Sequence, residues 1–303
     1  MLINDFKILA KTVKVNLSGT WDAFAPFVED AQRFYIEPYL GVELIKRLEK
    51  FDDKEKDKAL LELVHRALGP LSYILATHES SIRFGDAGHT ISRDLQSATP
   101  ASDEKVRLAR ESAELRGWQN LEYLLAWLEE NESGFPEWKS SSYLRNPKSK
   151  YFRSATDFQE LGMVDIGYSR LTFDKLLQLI RRIEATDVAD LVPVEITNPF
   201  DENLQDKEKK LVSYIQPYIS SKVAMLHTAQ ATKRQRTGDA KPEYKPVIRP
   251  LYEDLNDTGN YYAQQAEYWK AKIIELLADE FSIDKSGRLD WNRKENRIFC
   301  DIG

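Results

Sequence analysis

The sequence predicts a mainly α-helical chain: two tandem, possibly duplicated, helical bundles with long loops and minor β or extended segments. Three observations carry this. Apolar residues recur at helical spacing, as in Phe24, Phe27, Val28, Ala31, Phe34 and Tyr35. The chain also repeats itself at a distance of roughly 148 residues. The run Leu60-Leu61-Glu62-Leu63-Val64-His65-Arg66-Ala67-Leu68-Gly69-Pro70-Leu71-Ser72-Tyr73-Ile74 leads to His78, and Leu211-Val212-Ser213-Tyr214-Ile215-Gln216-Pro217-Tyr218-Ile219 leads to His227. Each has proline inside a helical pattern, where it removes a backbone donor and crowds the preceding turn at about 3 kcal/mol, so two such helices point to one repeated unit. Finally, the order of elements recurs. Each half has an amphipathic helix (21–39; 171–183), a connection, the proline-bearing helix, a polar loop, and a long helix (104–130; 255–281) with an aromatic-rich end.

Taken in order, residues 12–16 read as a short extended stretch, and Ser18-Gly19-Thr20-Trp21-Asp22 as a helix entry with Ser or Thr as N-cap. The helix over 21–39 has a wide aromatic face and stops at Glu37-Pro38-Tyr39-Leu40-Gly41, where glycine supplies a left-handed end. A short helix over 42–48 follows. Residues 85–100, rich in Gly, Ser, Thr and Asp, read as a turn and loop, and residues 237–250, with three prolines, are the counterpart. Both loops are natural interaction surfaces. Residues 131–167 lack a sustained period and contain Gly134, Pro136, Pro147, Gly162 and Gly167, which places the domain connection there. Residues 188–197, β-branched and interrupted by Pro193, read as an extended edge segment. Residues 282–303 read as a tail, either a hairpin around Lys285-Ser286-Gly287 or an arm ending in Arg297-Ile298-Phe299-Cys300. The expected division is an N-terminal unit (1–135), a connecting segment (136–167), a C-terminal unit (168–281) and the tail (282–303).

With 42% hydrophobic and 30% charged residues the composition is ordinary for a globular chain, and 303 residues suit two domains. No signal peptide is visible at the N-terminus, and no apolar run stands out as long enough to cross a bilayer. A single cysteine, Cys300, precludes an intramolecular disulfide and is consistent with a reducing cytoplasm. The net charge of -6 argues against a protein that coats nucleic acid. Basic residues are nonetheless clustered. Lys139, Arg145, Lys148, Lys150 and Arg153 occur with no acidic residue between them. Lys222, Lys233, Arg234, Arg236, Lys241, Lys245 and Arg249 share their stretch with Asp239 and Glu243. These segments are candidate contacts for phosphate or an acidic protein surface; solvated loops are the plainer explanation.

Catalytic and metal motifs are absent. Glu62 and His65 form one Glu-x-x-His pair, but di-iron carboxylate bundles need two such pairs and two further glutamates, so an exposed surface pair explains it better. His78, His89 and His227 lack chelating spacing. No nucleophile elbow, Walker loop or dinucleotide fingerprint occurs, and Gly85-Asp86-Ala87-Gly88-His89 has no preceding strand, so it reads as a turn. No cofactor is expected. Trp118, Trp127 and Trp269 fall in helical register as core or seam residues, whereas Trp138 and Trp291 lie in aperiodic segments and are candidate partner contacts.

The stretch Leu2-Ile3-Asn4-Asp5-Phe6-Lys7-Ile8 leading to Val13-Lys14-Val15-Asn16, then Phe24-Ala25-Pro26-Phe27-Val28-Glu29-Asp30-Ala31-Gln32 and Ile36-Glu37-Pro38-Tyr39-Leu40-Gly41, resembles an uncharacterised family of Bacteroidetes phage and prophage proteins. The short helix ending in Tyr-Leu-Gly is also similar to tailed-phage head-to-tail connector (adaptor) proteins. The resemblance covers about the first 50 residues and is aromatic and structural in character. It implies a virion structural protein without catalytic residues, located in the bacterial cytoplasm and then the virion. Loops and arm would contact other copies, and basic segments would face portal, capsid or packaged DNA. This chain is two to three times the usual adaptor length, which a duplicated unit would explain. The competing expectations are a helical nucleic-acid-binding module using residues 139–153 and 222–249, with salt-sensitive, sequence-independent backbone contacts, and a small-ligand protein or enzyme at an interdomain cleft near Glu62, His65 and the Gly85 loop.

Overall fold

A computed structural model describes residues 1–13, 21–50, 55–79, 83–85, 88–90, 102–237, 244–249, 255–281 and 283. The described residues are mainly helical, as the apolar spacing predicts. The chain divides into two compact units, unit 1 comprising Met1–Pro147 with Lys241–Tyr244, and unit 2 comprising Lys148–Ala240 with Lys245–Gly303.

Unit 1 begins with α1 (Phe6–Leu9), whose N-cap Asp5 accepts a hydrogen bond from the Ile8 amide at 2.8 Å. Helix α2 (Trp21–Ala31) runs into a π-helical turn, Gln32–Ile36, and then α3 (Glu37–Leu40). Gly41 ends this run at φ 81, and a Cβ there would press on the Ser141 backbone at 3.0 Å, so the Tyr-Leu-Gly stop depends on glycine. Helix α4 (Val42–Glu49) follows, then the proline-bearing α5 (Glu55–Glu79) and the long α6 (Asp103–Glu130). Between them β1 (Arg83–Gly85) and β2 (Gly88–Thr90) pair antiparallel with Phe84 opposite His89, so a strand does lead into Gly85, contrary to the sequence reading. Two 3-10 turns, Glu132–Gly134 and Pro136–Ser140, and α7 (Ser142–Arg145) complete the unit. Helices α5 and α6 form its core, burying Leu60, Val64, Leu68 and Leu71 on one and Leu121, Leu124, Leu125 and Leu128 on the other. Each such side chain contributes about 1.5–3 kcal/mol on leaving water. The Gly117 α-carbon comes so close to Leu71 that a Cβ would lie 2.8 Å from its side chain.

Unit 2 has α8 (Ala155–Glu160), capped by Ser154, and α9 (Arg170–Ile183), capped by Ser169. A π-helical turn, Glu184–Val188, leads to α10 (Ala189–Leu191). The proline-bearing α11 (Asp206–Thr237) packs on α12 (Leu255–Phe281). Phe152, Phe158, Ile180, Leu211, Ile215, Ile219 and Ile273 sit at the centre of its core.

Several features of unit 1 recur in unit 2. π-helix is rare, and when it occurs it is usually as a single turn inserted in an α-helix; here one follows the amphipathic helix of each unit. Buried positions stay in register at about 150 residues: Leu2, Ile3 and Leu9 with Tyr151, Phe152 and Phe158; Val28, Ala31 and Ile36 with Ile180, Ile183 and Val188; Val64, Ala67 and Leu71 with Val212, Ile215 and Ile219; Leu124 and Leu128 with Ile273 and Leu277. The first residue of each π-turn does the same work. Gln32 Oε1 accepts from the Leu2 amide at 2.9 Å, while the Glu184 carboxylate accepts from the Lys150 and Tyr151 amides at 3.2 Å and from Ser149 Oγ at 2.5 Å.

Two expectations are corrected. The division at Pro147 falls inside the expected connecting segment 136–167, whose residues are themselves packed: Trp138 and Tyr143 are buried in unit 1, Tyr151, Phe152, Phe158, Val164 and Ile166 in unit 2. Their aromatic content, without a helical period, builds core from turns. Residues 188–191 are helical rather than extended, because the π-turn carries the helix past Ile183, and Val192 is the first extended residue. Among the described residues, Glu55–Thr77 is long and apolar enough to cross a membrane, but 56% of its apolar window is buried inside the protein, as suits the central core helix of unit 1. The expected tail lies outside the described residues apart from Ile283.

Candidate interaction surfaces

The basic residues singled out in the sequence fall in different settings. Lys139 is exposed and lies 3.6 Å from the Glu132 carboxylate. Arg145, exposed, occupies the last turn of α7. Both belong to unit 1, whereas Lys148, Lys150 and Arg153 belong to unit 2, so the fold divides the run. Lys148 and Lys150 are exposed, and the Lys150 ammonium sits 5.8 Å from the Tyr151 ring centre. Arg153 lies 3.8 Å from the Phe200 ring centre and 3.5 Å from the Asp157 carboxylate, which satisfies much of its charge locally.

In the second segment Lys222 is half-buried and pairs with Asp187 at 3.0 Å. Burial pushes the Asp187 carboxyl up, but hydrogen bonds from Lys222, Thr186 and Tyr218 outweigh it and hold the group below the ordinary carboxylate range. The Tyr218 phenol is pushed up, first by burial and then by the Asp187 charge. Arg249 pairs with Asp165 at 3.3 Å and also donates its amide to the Asp165 carbonyl at 2.9 Å. Lys245 is exposed. The side chains of Lys233, Arg234 and Arg236, and all of Lys241 and Trp291, lie outside the described residues.

Trp138 is a core residue, not a partner contact. It is 1% exposed, its indole N–H donates to the Tyr39 carbonyl at 2.9 Å, and its ring stacks with Tyr143. A short 3-10 turn buries it without producing the helical period that would have marked it. Nor is the Glu62 and His65 pair a surface feature in both members. Glu62 is exposed, but His65 Nε2–H donates to the Leu2 carbonyl at 2.9 Å, and burial lowers its pKa more than that bond raises it. His227 is half-buried on α11, and the side chains of His78 and His89 lie outside the described residues. Among the described residues no group of three metal-ligating side chains converges.

Other features had little sequence signal. Arg47 donates to both oxygens of buried Asp57 at 2.7 and 3.1 Å, to Glu137 at 3.0 Å and to the Gly134 carbonyl at 3.1 Å, with its guanidinium over Phe135. Its partners are up to 90 residues away, beyond any local pattern. Exposed large apolar residues are spread over both units, among them Leu115 and Tyr123 on α6 at 59% and 62%. In unit 1, Phe34 projects from the π-turn and is 56% exposed. In unit 2, Leu161, Met163 and Tyr168 project from the loop between α8 and α9, with Met163 at φ 61 and Tyr168 at φ 54. The Gln159 side chain holds that loop by accepting from the Ile166 and Tyr168 amides.

The fold therefore defines a tandem pair of helical units. Residues 30–148 match the model of a family of unknown function, DUF6712. The match covers less than half of the chain and ends where unit 1 ends, so the chain is similar to that family over one of its two units. No curated protein and no solved structure matches the chain.

Proposed function

We propose that this chain is a structural protein of a tailed phage or prophage, a head-to-tail connector or head-completion component that works through protein–protein contacts with its own copies and with portal or capsid proteins. The observation that carries this reading is the repeat. A helical unit of adaptor size, occurring twice, accounts for the length that separates this chain from the adaptors it resembles. The residues of the resemblance are also the ones that build unit 1: Leu2 and Ile3 are buried, Val28 and Ala31 form the inner face of α2, and Tyr39-Leu40-Gly41 makes the helix stop. Such residues describe a shared scaffold, and a scaffold repeated within one chain suits an assembly subunit.

The test is light scattering coupled to size-exclusion chromatography on the purified chain, alone and with the portal-like and capsid-like products of neighbouring genes. A stable complex with one of them is expected. A chain that binds none of them, at any ratio, overturns the reading. The exposed cations Lys148 and Lys150 supply a second arm, since backbone contact with DNA would weaken steeply with salt.

A further inference from the structure

We infer that the loop between α8 and α9 of unit 2 is a docking site for an extended peptide bearing an aliphatic residue followed by arginine, and that residues 245–249 fill it in cis as a displaceable strap. The inference goes beyond the assembly reading and does not rest on it.

Residues 245–249, Lys-Pro-Val-Ile-Arg, belong to unit 2 and form neither helix nor strand. Their burial alternates residue by residue: Lys245, Val247 and Arg249 are exposed, Pro246 and Ile248 half-buried, with Ile248 packed against the unit 2 core. That period of two marks extended chain laid on a surface. Pro246, and Pro250 next in the sequence, reinforce it, since proline fixes its own φ and holds the residue before it extended. Two amides in the same rhythm donate to the surface beneath: Val247 to Thr172 Oγ1 at 3.4 Å, and Arg249 to the Asp165 carbonyl at 2.9 Å. Alternate amides bonded to the host, with alternate side chains set into it, is the way extended peptides are recognised.

The loop is shaped to read the arginine. Asp165 meets Arg249 twice, through its carbonyl on the amide and through its carboxylate on the guanidinium at 3.3 Å. The other carboxylate oxygen accepts from the Gly167 amide at 2.8 Å, which fixes the group. Gly167, at φ 64, leaves room for the guanidinium, because a Cβ there would lie 3.3 Å from it. Tyr168 follows at φ 54, an uncommon conformation for tyrosine, and Gln159 holds the turn by accepting from the Ile166 and Tyr168 amides at 3.2 and 2.8 Å. These bonds are internal to the loop and its helix, so the site is formed without help from the strap.

The strap, by contrast, is lightly held. The side chains of its ion pair are 67% and 39% exposed, and one of its two amide bonds is long. Exposed pairs are screened and weak, and segments with few buried contacts open well below the global unfolding energy. Its advantage is the tether, which sets an effective concentration on the order of millimolar. A partner protein takes the site by presenting the same aliphatic and arginine residues in extended form, with further contacts beyond them.

The experiment is fluorescence anisotropy of a labelled Lys-Pro-Val-Ile-Arg-Pro peptide titrated with the full chain. Three forms are compared, each checked by circular dichroism: wild type, the strap-disabled Ile248→Ser/Arg249→Ser variant, and that variant with Asp165→Asn added. The strap-disabled chain should bind the peptide at least about tenfold more tightly than wild type. Adding Asp165→Asn, or replacing the peptide's arginine by glutamate, should weaken binding by about threefold or more. Equal binding by wild type and the strap-disabled chain, or binding indifferent to Asp165 and to the arginine, overturns the inference. So does a strap-disabled chain that no longer folds, since the segment would then be part of the core. Hydrogen exchange on the wild type reads the opening directly: the Val247 and Arg249 amides should exchange at least about tenfold faster than buried amides of α11. Protection equal to that of α11 would show a strap that does not lift.

Discussion

At the scale of the residue, Arg47 illustrates how an unremarkable surface-patterned position becomes a keystone. Its guanidinium reaches a carboxylate that is 2% exposed, a second carboxylate, a carbonyl and an aromatic face, all within unit 1. Truncation leaves Asp57 charged and unpaired in the interior, so Arg47→Ala should lower unfolding stability by about 3 kcal/mol in a urea titration. Arg47→Lys should recover only part of this, because an ammonium cannot bridge both Asp57 oxygens in parallel. A loss below about 0.5 kcal/mol, typical of an exposed pair, would contradict this account. His65 makes a second residue-scale prediction. Burial, aided by Lys11, lowers its pKa, while the Leu2 carbonyl and Glu62 act to raise it, with burial prevailing. The unfolded imidazole therefore takes up a proton at higher pH than the folded one. Its contribution to stability is complete above the unfolded value near 6.5 and is lost as pH falls from there through the folded value. His65→Gln should flatten that part of the stability profile; an unchanged slope would assign the pH dependence to other groups. Neither residue was legible as such in the sequence. The Glu-x-x-His spacing drew notice to His65 for a reason the structure does not use, and Arg47 lacked any signal because Asp57 lies on the next helix and Gly134 and Glu137 are distant in the chain.

At the scale of the element, the proline-bearing helices, the aromatic helix ending at Gly41 and the long closing helices were all written in apolar spacing and in the placement of Pro and Gly. The π-turns were not, since an inserted residue shifts the apolar phase only slightly. Trp138 and residues 188–191 were misplaced because short 3-10 and π segments bury side chains without leaving a period to count. The repeat converts these missed elements into predictions. Glu184 collects two amides and a hydroxyl where Gln32 collects one amide. Glu184→Ala should therefore cost about 2 kcal/mol through donors left unpaired, whereas Glu184→Gln should cost less, about 1 kcal/mol, because the amide oxygen can still accept from Ser149 and Tyr151 and only the exposed Lys150 amide loses its acceptor. Equal losses for the two variants would mean that one acceptor oxygen does not suffice and the full carboxylate is needed. Helix packing gives a contrasting pair. A methyl at Gly117 would lie 2.8 Å from Leu71 in the core of unit 1, so Gly117→Ala should destabilise by about 1–3 kcal/mol. A methyl at Gly259 would lie 3.7 Å from Thr228, an ordinary contact, so Gly259→Ala should gain up to about 1 kcal/mol from helix propensity. Thermal melts of both variants separate the steric effect from the backbone one.

At the scale of the whole molecule, the tandem organisation was legible because a repeat survives in sequence wherever packing forbids drift. Pro70 and Pro217 mark it, and the buried positions in register confirm that the same sites are constrained in both units. The site was less legible. Clustered cations stood out in the sequence, yet Arg153 pairs with Asp157 just past the end of its run, and Lys222 and Arg249 are held by carboxylates from elsewhere in the chain, pairings that composition does not reveal. The exposed apolar side chains were missed for a related reason: an apolar residue reads as core until burial is known, as Phe34 did on its helix. Two cores of this kind also set the expected unfolding behaviour. Each unit has its own helix pair and its own buried set, so each should melt as its own cooperative transition. Arg47→Ala acts in unit 1 and Glu184→Ala in unit 2. In differential scanning calorimetry each should move one component of the endotherm to lower temperature and leave the other in place. A single transition that shifts as a whole for both variants would show that the repeated units have become one cooperative body.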